Sequence, residues 1–177
     1  MKICVFCSSS EGLANEYYEA GFEVGKLIAE GGHTLVFGGY TKGIMGAVAQ
    51  GCKENGGKVV SVIPAIFDGI RANFEDGADV INTETMSSRK DKMIEIADAF
   101  ISLPGGVGTV DELFQVIALN AVGEISKPVA ILMQGKTQKF LGEFLWQGLS
   151  EGFVPKKTIN KIGICHTPQE LLDYVQR

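Results

Sequence analysis

Short apolar, β-branched runs alternate with longer segments of helical period along almost the whole chain, and no other feature of the sequence restricts the fold so strongly. The runs are KICVFC (2–7), HTLVFG (33–38), KVVSVI (58–63), DVINTE (79–84), AFISL (99–103), PVAILM (128–133) and IGICH (162–166). Between them the spacing of apolar residues predicts helices near 13–30, 43–55, 87–97, 109–121 and 137–150, with a last one from Pro168. Strands joined by helical crossovers pair in parallel with right-handed connections, and helices then cover both faces of the sheet. The expected fold is α/β: a Rossmann-like three-layer arrangement with a parallel sheet of about seven strands. The 177 residues, 45% of them hydrophobic, suffice for the core of one domain spanning 1–177, and no repeat, low-complexity tract or linker divides them. PAIFDGIRANFEDGA (64–78) breaks the rhythm and is expected to form a mobile loop with a helical turn at the mouth of the site.

Charge and cysteine content narrow the function classes. The net charge is −5 and no basic run compensates locally, so a nucleic-acid polymer is not an expected partner. MKICVFCSSS holds an apolar run of five residues, too short for a signal-peptide core, and no later run approaches a membrane span. A cytoplasmic protein with no membrane contact is expected. Its four cysteines then read as reduced, buried thiols. Cys4 and Cys7 form a CxxC, but on a strand their side chains point to opposite faces, which disfavours a redox pair. Cys52, Cys165, His33 and His166 lack metal-ligand spacing, so no metal site is expected.

In open α/β sheets ligands sit beyond the carboxyl ends of the strands, which directs attention to the loops that follow them. After the first strand, CSSSEG offers the hydroxyl and N–H groups of Ser8, Ser9 and Ser10. After the second, GGYTKGIMG places Gly38, Gly39, Gly43 and Gly46 where backbone must approach a ligand or a helix must approach the sheet. After the fifth, LPGGVGT sets Gly105, Gly106 and Gly108 before a helix, with the Thr109 hydroxyl as a further donor; this is a phosphate cradle. The alternative, that these glycines only shape tight βα turns, is weakened because two such loops and a serine triplet share one sheet edge. A dinucleotide fingerprint fits poorly, since GVGTVD has Asp where GxGxxG requires its last small residue. QGKT (134–137) ends like a Walker A loop, but the required first glycine falls at Ala130 inside a strand, so Lys136 reads as solvated.

Two charged elements remain. SSRKDK (87–92) suits an N-capped helix start with a solvated basic face, yet Arg89 and Lys90 follow the fourth strand and reach the ligand edge, where an Arg fork can hold phosphate or ribose oxygens. Asp111 and Glu112 are expected in the first turn of the helix after the cradle. One acid there suits the helix dipole, by a few tenths to roughly 1 kcal/mol. A second carboxylate beside a phosphate cradle repels the ligand, and so implies chemistry on the adjoining part of a nucleotide, its ribose.

These elements together resemble the LOG ("Lonely Guy") family of cytokinin-activating phosphoribohydrolases, long labelled lysine decarboxylases. PGGVGTVDE is similar to the family's PGGxGTxxE, SSRK to its Arg-Lys element and GGYTKGIMG to its GGGxxGxMG; VFCSSS at the first strand also agrees. The resemblance covers nearly the whole chain. It implies hydrolysis of the N-glycosidic bond of an adenosine 5′-monophosphate, N6-modified or plain, to free base and ribose 5-phosphate, without metal or cofactor. It also implies that Arg89 and Glu112 are catalytic, that Gly105, Gly106, Gly108 and Thr109 hold the 5′-phosphate, and that Ser8, Ser9, Gly38, Gly39, Gly43, Met86 and Lys90 belong to the substrate site. Asp111 is then left to the helix. Departures lie in VIALNAVGEISKP after Glu112, in Tyr40 at the third position of the glycine triplet and in MQGKTQKFLGEF, all of which bear on base selectivity.

N-glycoside cleavage passes through an oxocarbenium-like sugar, which a carboxylate near the anomeric carbon stabilises; Glu112 is the candidate. A non-catalytic nucleotide-binding or carrier protein would use the same loops, and a decarboxylase would need pyridoxal phosphate on a lysine and a larger chain. Finally, ELFQVIALNAVG (112–123) carries more apolar residues than one sheet face needs, so a homodimer or larger homo-oligomer is expected.

Overall fold

The computed structural model describes residues 1–74 and 79–177. Seven strands form: β1 Lys2–Phe6, β2 Thr34–Phe37, β3 Lys58–Pro64, β4 Val80–Thr83, β5 Ala99–Ser102, β6 Val129–Leu132 and β7 Ile162–Cys165. They pair in parallel throughout, in the order β4-β3-β2-β1-β5-β6-β7. The helices are α1 Asn15–Glu30, α2 Gly43–Glu54, α3 Met86–Ile96, α4 Val107–Val122, α5 Gly135–Ser150, α6 Lys156–Ile159 and α7 Pro168–Val175. The chain winds outward from β1 to β4, then returns to lay β5 against the other side of β1. This reversal is a topological switch point, which opens a crevice above the strand ends.

Alternation along the strands divides the interior in two. Ile3, Val5, Leu35 and Phe37 pack under α1, α2 and α7, while Cys4, Phe6, Val36 and Phe100 pack under α3, α4 and α5. Cys4 and Cys7 fall on opposite sides, as strand geometry requires, and all four cysteines are free and buried. Each large apolar side chain removed from water contributes about 1.5–3 kcal/mol. The α1–α2 pair approaches closely because Gly25 and Gly51 lie at the contact. A Cβ on Gly25 would collide with the Val48 carbonyl oxygen, and one on Gly51 with the Phe22 carbonyl oxygen.

Three details differ from the sequence expectation. The helix after the cradle starts at Val107 rather than near 109, because Gly106 in extended conformation already serves as its N-cap. Asp111 and Glu112 therefore lie in its second turn, beyond the reach of the dipole argument, which fades within the first turn. The short α6 has too few residues to show a period. Within 64–78, Ala65–Asn73 forms a 3-10 segment kinked at Ile70, and residues 75–78 lie outside the described residues.

Candidate active site

A cavity of about 540 Å³ opens over the switch point, in the size range of small-molecule sites. Ser8, Ser9 and Ser10 after β1 border it on one side, and Gly106, Gly108 and Thr109 after β5 on another. The two loops are tied together: Ser8 N–H donates to the Pro104 carbonyl (3.1 Å), and Met45 N–H donates to the Ser8 carbonyl (3.0 Å). Ser10 N–H in turn donates to Ser8 Oγ (3.0 Å), which tightens the serine turn.

Two helices bring charge to the floor of this cavity by the same device. On α4, Thr109, Glu112, Leu113 and Val116 share the buried stripe; on α3, Arg89 and Met93 do. Leu113, Val116 and Met93 pack on one sheet face. The stripes run from that core to the strand ends, where Arg89 and Glu112 meet. Arg89 Nη1 donates to Glu112 Oε1 at 2.6 Å, and Arg89 Nε donates to the Val62 carbonyl at 3.0 Å. Both side chains are more than nine-tenths buried. Thr85 and Ser88 close a capping box at the start of α3, which fixes the helix that carries Arg89. Gly38 completes the seat, since a Cβ there would collide with Arg89 Nη2.

Burial pushes the Glu112 carboxyl above the ordinary carboxylate range; the Arg89 guanidinium opposes this, and Asp111 adds to it. Burial also pushes the Cys7 thiol well up, with the charge of Glu112 adding to the effect, so Cys7 lines the cavity as a neutral thiol.

Gly106 has no side chain with which to cap α4, and the first N–H groups of a helix lack internal acceptors. The N–H groups of Val107, Gly108 and Thr109 are thus without acceptors inside the helix, and all three residues line the cavity. The other glycines named from the sequence stand behind this surface. Gly39 and Gly43 adopt positive φ (86° and 65°) and pack on Ile63 and on the Ser9 backbone, and Gly105 leaves room for the Thr109 side chain. Met86 lines the cavity. Lys90 does not: its Nζ donates to Asp111 Oδ2 at 2.8 Å. Asp111 is held at the cavity edge by that lysine rather than by the helix terminus.

The sequence placed Tyr40 among the departures that bear on base selectivity and 64–78 at the site mouth, but it did not show that Tyr40, Met45, Phe67, Ile70 and Phe74 join into one apolar wall. Its signal was the aromatic spacing in IFDGIRANF, directly after a strand.

Known proteins resemble this chain in sequence and in fold. The family model described as possible lysine decarboxylase matches residues 45–175. A protein of Oryza sativa subsp. japonica named cytokinin riboside 5′-monophosphate phosphoribohydrolase LOG is 37% identical over 172 residues, 97% of this chain and 71% of that protein. A Rhodococcoides fascians protein bearing the same enzyme name is 34% identical over 164 residues, covering 92% of this chain and 83% of its own. The solved structure of a molybdenum cofactor binding protein from Rippkaea orientalis superposes with a TM-score of 0.75 over 99% of this chain and 94% of that one. At 22% identity that likeness concerns the fold alone.

Proposed function

We propose, for a chain that belongs to the family described as possible lysine decarboxylase and that is 37% identical over 172 residues to a named phosphoribohydrolase, that the cavity hydrolyses the N-glycosidic bond of adenosine 5′-monophosphates, N6-modified or plain. The observation that carries this reading is the buried Arg89–Glu112 pair beside the uncapped start of α4. The α4 N–H groups with Thr109, assisted by Ser8 and Ser9, take the 5′-phosphate. The ribose then lies over Glu112, whose carboxylate stabilises positive charge as the bond from the anomeric carbon to the base nitrogen breaks. Water adds its oxygen to the anomeric carbon; one of its protons passes to the departing base and leaves with it. Arg89, fixed by Val62 and Glu112, orients the carboxylate and the sugar. Gly38 gives Arg89 its space, Gly39, Gly43 and Gly105 shape the loops, Met86 borders the ligand, and Lys90 holds Asp111.

The reaction consumes only water. Pyridoxal phosphate does not fit this cavity: among the described residues no lysine lines it, so a Schiff-base amine has no place there.

The test is release of adenine and ribose 5-phosphate from AMP and from N6-isopentenyl-AMP, with adenosine as control. Adenosine should be a poor substrate, because a site built for the phosphate leaves its donors unpaired without it. Tight AMP binding without base release would replace this reading with a nucleotide-binding protein.

The 177 residues are read as one functional domain acting in the cytoplasm, where unpaired thiols such as these four persist. A homodimer is also inferred. Phe140 and Phe144 stand exposed one turn apart on α5, and Phe114 of α4 meets Phe144 edge-on at 5.7 Å, leaving an aromatic ridge for a second copy to cover. A concentration-independent monomer in sedimentation would refute this.

A further inference from the structure

The polar and apolar parts of the cavity come from different strands. The anion donors follow β1 and β5, whereas Tyr40 follows β2, Phe67 and Phe74 follow β3, and Met86 follows β4. In the order β4-β3-β2-β1-β5, the apolar wall sits two to three strand spacings from the cradle, about 10–14 Å. Arg89 spans the two sides, bonded to Val62 of β3 and to Glu112 of α4. A nucleotide with its phosphate on α4 and its ribose over Glu112 thus carries its base onto this wall.

The wall is preorganised. Phe67 stacks on Phe74 (centroids 5.0 Å apart, planes at 22°), and Tyr40 meets Phe74 edge-on (5.2 Å, 72°). An antiparallel bridge joins Tyr40 to Phe74, and Thr41 N–H and Oγ1 both donate to the Asn73 carbonyl at 3.0 Å. Phe74 is buried within the array, while Tyr40 and Phe67 keep part of their surface open. Apart from the Tyr40 hydroxyl, no polar side chain belongs to this wall among the described residues.

On the phosphoribohydrolase reading, we propose that Tyr40, Phe67 and Phe74 receive the nucleobase by its ring face, with Tyr40 as the specificity-determining ring, and that the polar edge of the base goes largely unread. Aromatic rings attract bases through dispersion and quadrupole terms that every purine shares, whereas edge recognition requires fixed donors and acceptors.

The test compares the parent with Tyr40→Phe, Tyr40→Leu and Phe67→Leu, the last lying outside the Tyr40–Phe74 bridge; circular dichroism checks folding. Two quantities are read: KM for AMP, and the inhibition constant of ribose 5-phosphate, which lacks the base. Tyr40→Leu should raise KM by about 5- to 100-fold with the ribose 5-phosphate constant unchanged, and Tyr40→Phe, which keeps the ring face and loses only the hydroxyl, should raise it less. Phe67→Leu should change in the same direction. Inosine 5′-monophosphate should stay within about tenfold of AMP in kcat/KM, since a site that reads the edge by hydrogen bonds discriminates by about 10⁴ or more. An unchanged KM in Tyr40→Leu, an equal loss in Tyr40→Phe, a parallel rise of the ribose 5-phosphate constant, or discrimination near 10⁴ against inosine 5′-monophosphate overturns the proposal. If the parent binds AMP but releases no base, the hydrolase reading fails by itself. The wall is then judged from the Kd values of AMP, inosine 5′-monophosphate and ribose 5-phosphate in the same variants, by the same criteria.

Discussion

Replacing Glu112 by Gln keeps the outline of the side chain and removes its charge, so stability and catalysis should respond very differently. Deleting one partner of a buried ion pair outright costs about 3–5 kcal/mol, because the other charge is left uncompensated. Gln avoids most of that. Its amide oxygen can still accept from Arg89 Nη1, which in the parent lies 2.6 Å from Glu112 Oε1, and Arg89 Nε keeps the Val62 carbonyl. The neutral group also escapes the cost of burying a carboxylate. What remains is the difference between a charge-assisted and a neutral hydrogen bond, about 1–2 kcal/mol. For a chain of 177 residues this lowers Tm by roughly 2–8 °C, which leaves the variant folded in the assay. Base release should nevertheless fall by about 10²–10³, the usual worth of a preorganised electrostatic contact. AMP binding should hold or tighten, since repulsion between carboxylate and phosphate is relieved. Asp111→Asn is the matched control: its carboxylate is exposed and pairs with Lys90, a contact worth about 0.2–1 kcal/mol. The measurements are adenine release at saturating nucleotide, calorimetric binding and thermal melts of both variants. If Glu112→Gln turns over like the parent while Asp111→Asn is dead, the two carboxylates have been assigned the wrong way round; if neither matters, the hydrolase reading is wrong.

The remaining predictions concern pH and the glycines. Because burial raises the Glu112 pKa and the ionised carboxylate is the working form, activity should be lost as pH falls through that raised value; the acid limb of kcat/KM therefore lies above the ordinary glutamate range. Stability moves the other way. The folded state holds this proton more tightly than the unfolded chain, so the group's contribution is complete below the ordinary glutamate pKa and is lost as pH rises through the raised one. In melts of the parent against Glu112→Gln across that window the parent's advantage should widen towards acid pH, and a constant offset would contradict the assignment. Gly38→Ala places a methyl group on the Arg89 guanidinium and should cost about 10²-fold in kcat, as a misplacement of roughly 1 Å does, with little change in Tm; parent-like turnover would refute the seat assigned to Gly38. Gly51→Ala drives a methyl group into the Phe22 carbonyl between α1 and α2, which should cost about 1–3 kcal/mol by melting while leaving turnover of the folded protein intact.

The Arg89–Glu112 pair shows why function was easier to read than shape at this site. Both residue types stood in recognisable stretches, SSRK and PGGVGTVDE, at the right sheet edge, so each was a candidate in its own right. Their contact across 23 residues of sequence, its burial and the resulting shift of Glu112 depend on two helices sharing one sheet face. The apolar wall follows the same logic. Tyr40, Phe67 and Phe74 come from two loops and become one surface through the Tyr40–Phe74 bridge, a pairing that no local pattern specifies.

Seven strands, their parallel pairing and the helices between them other than the short α6 were decided by the sequence alone, because the periods of apolar residues and the β-branched runs act over short stretches and leave few chain paths. The glycines after the second and fifth strands were legible for the same local reason. Tertiary structure decided the rest: the order that sets β5 beside β1, the start of α4 at Val107, the retreat of Lys90 to Asp111, and the division of glycines into those that face the cavity and those that support it. These outcomes turn on which surfaces meet, and contacts between distant segments are settled by the packing of the whole chain, to which no single stretch of sequence has access.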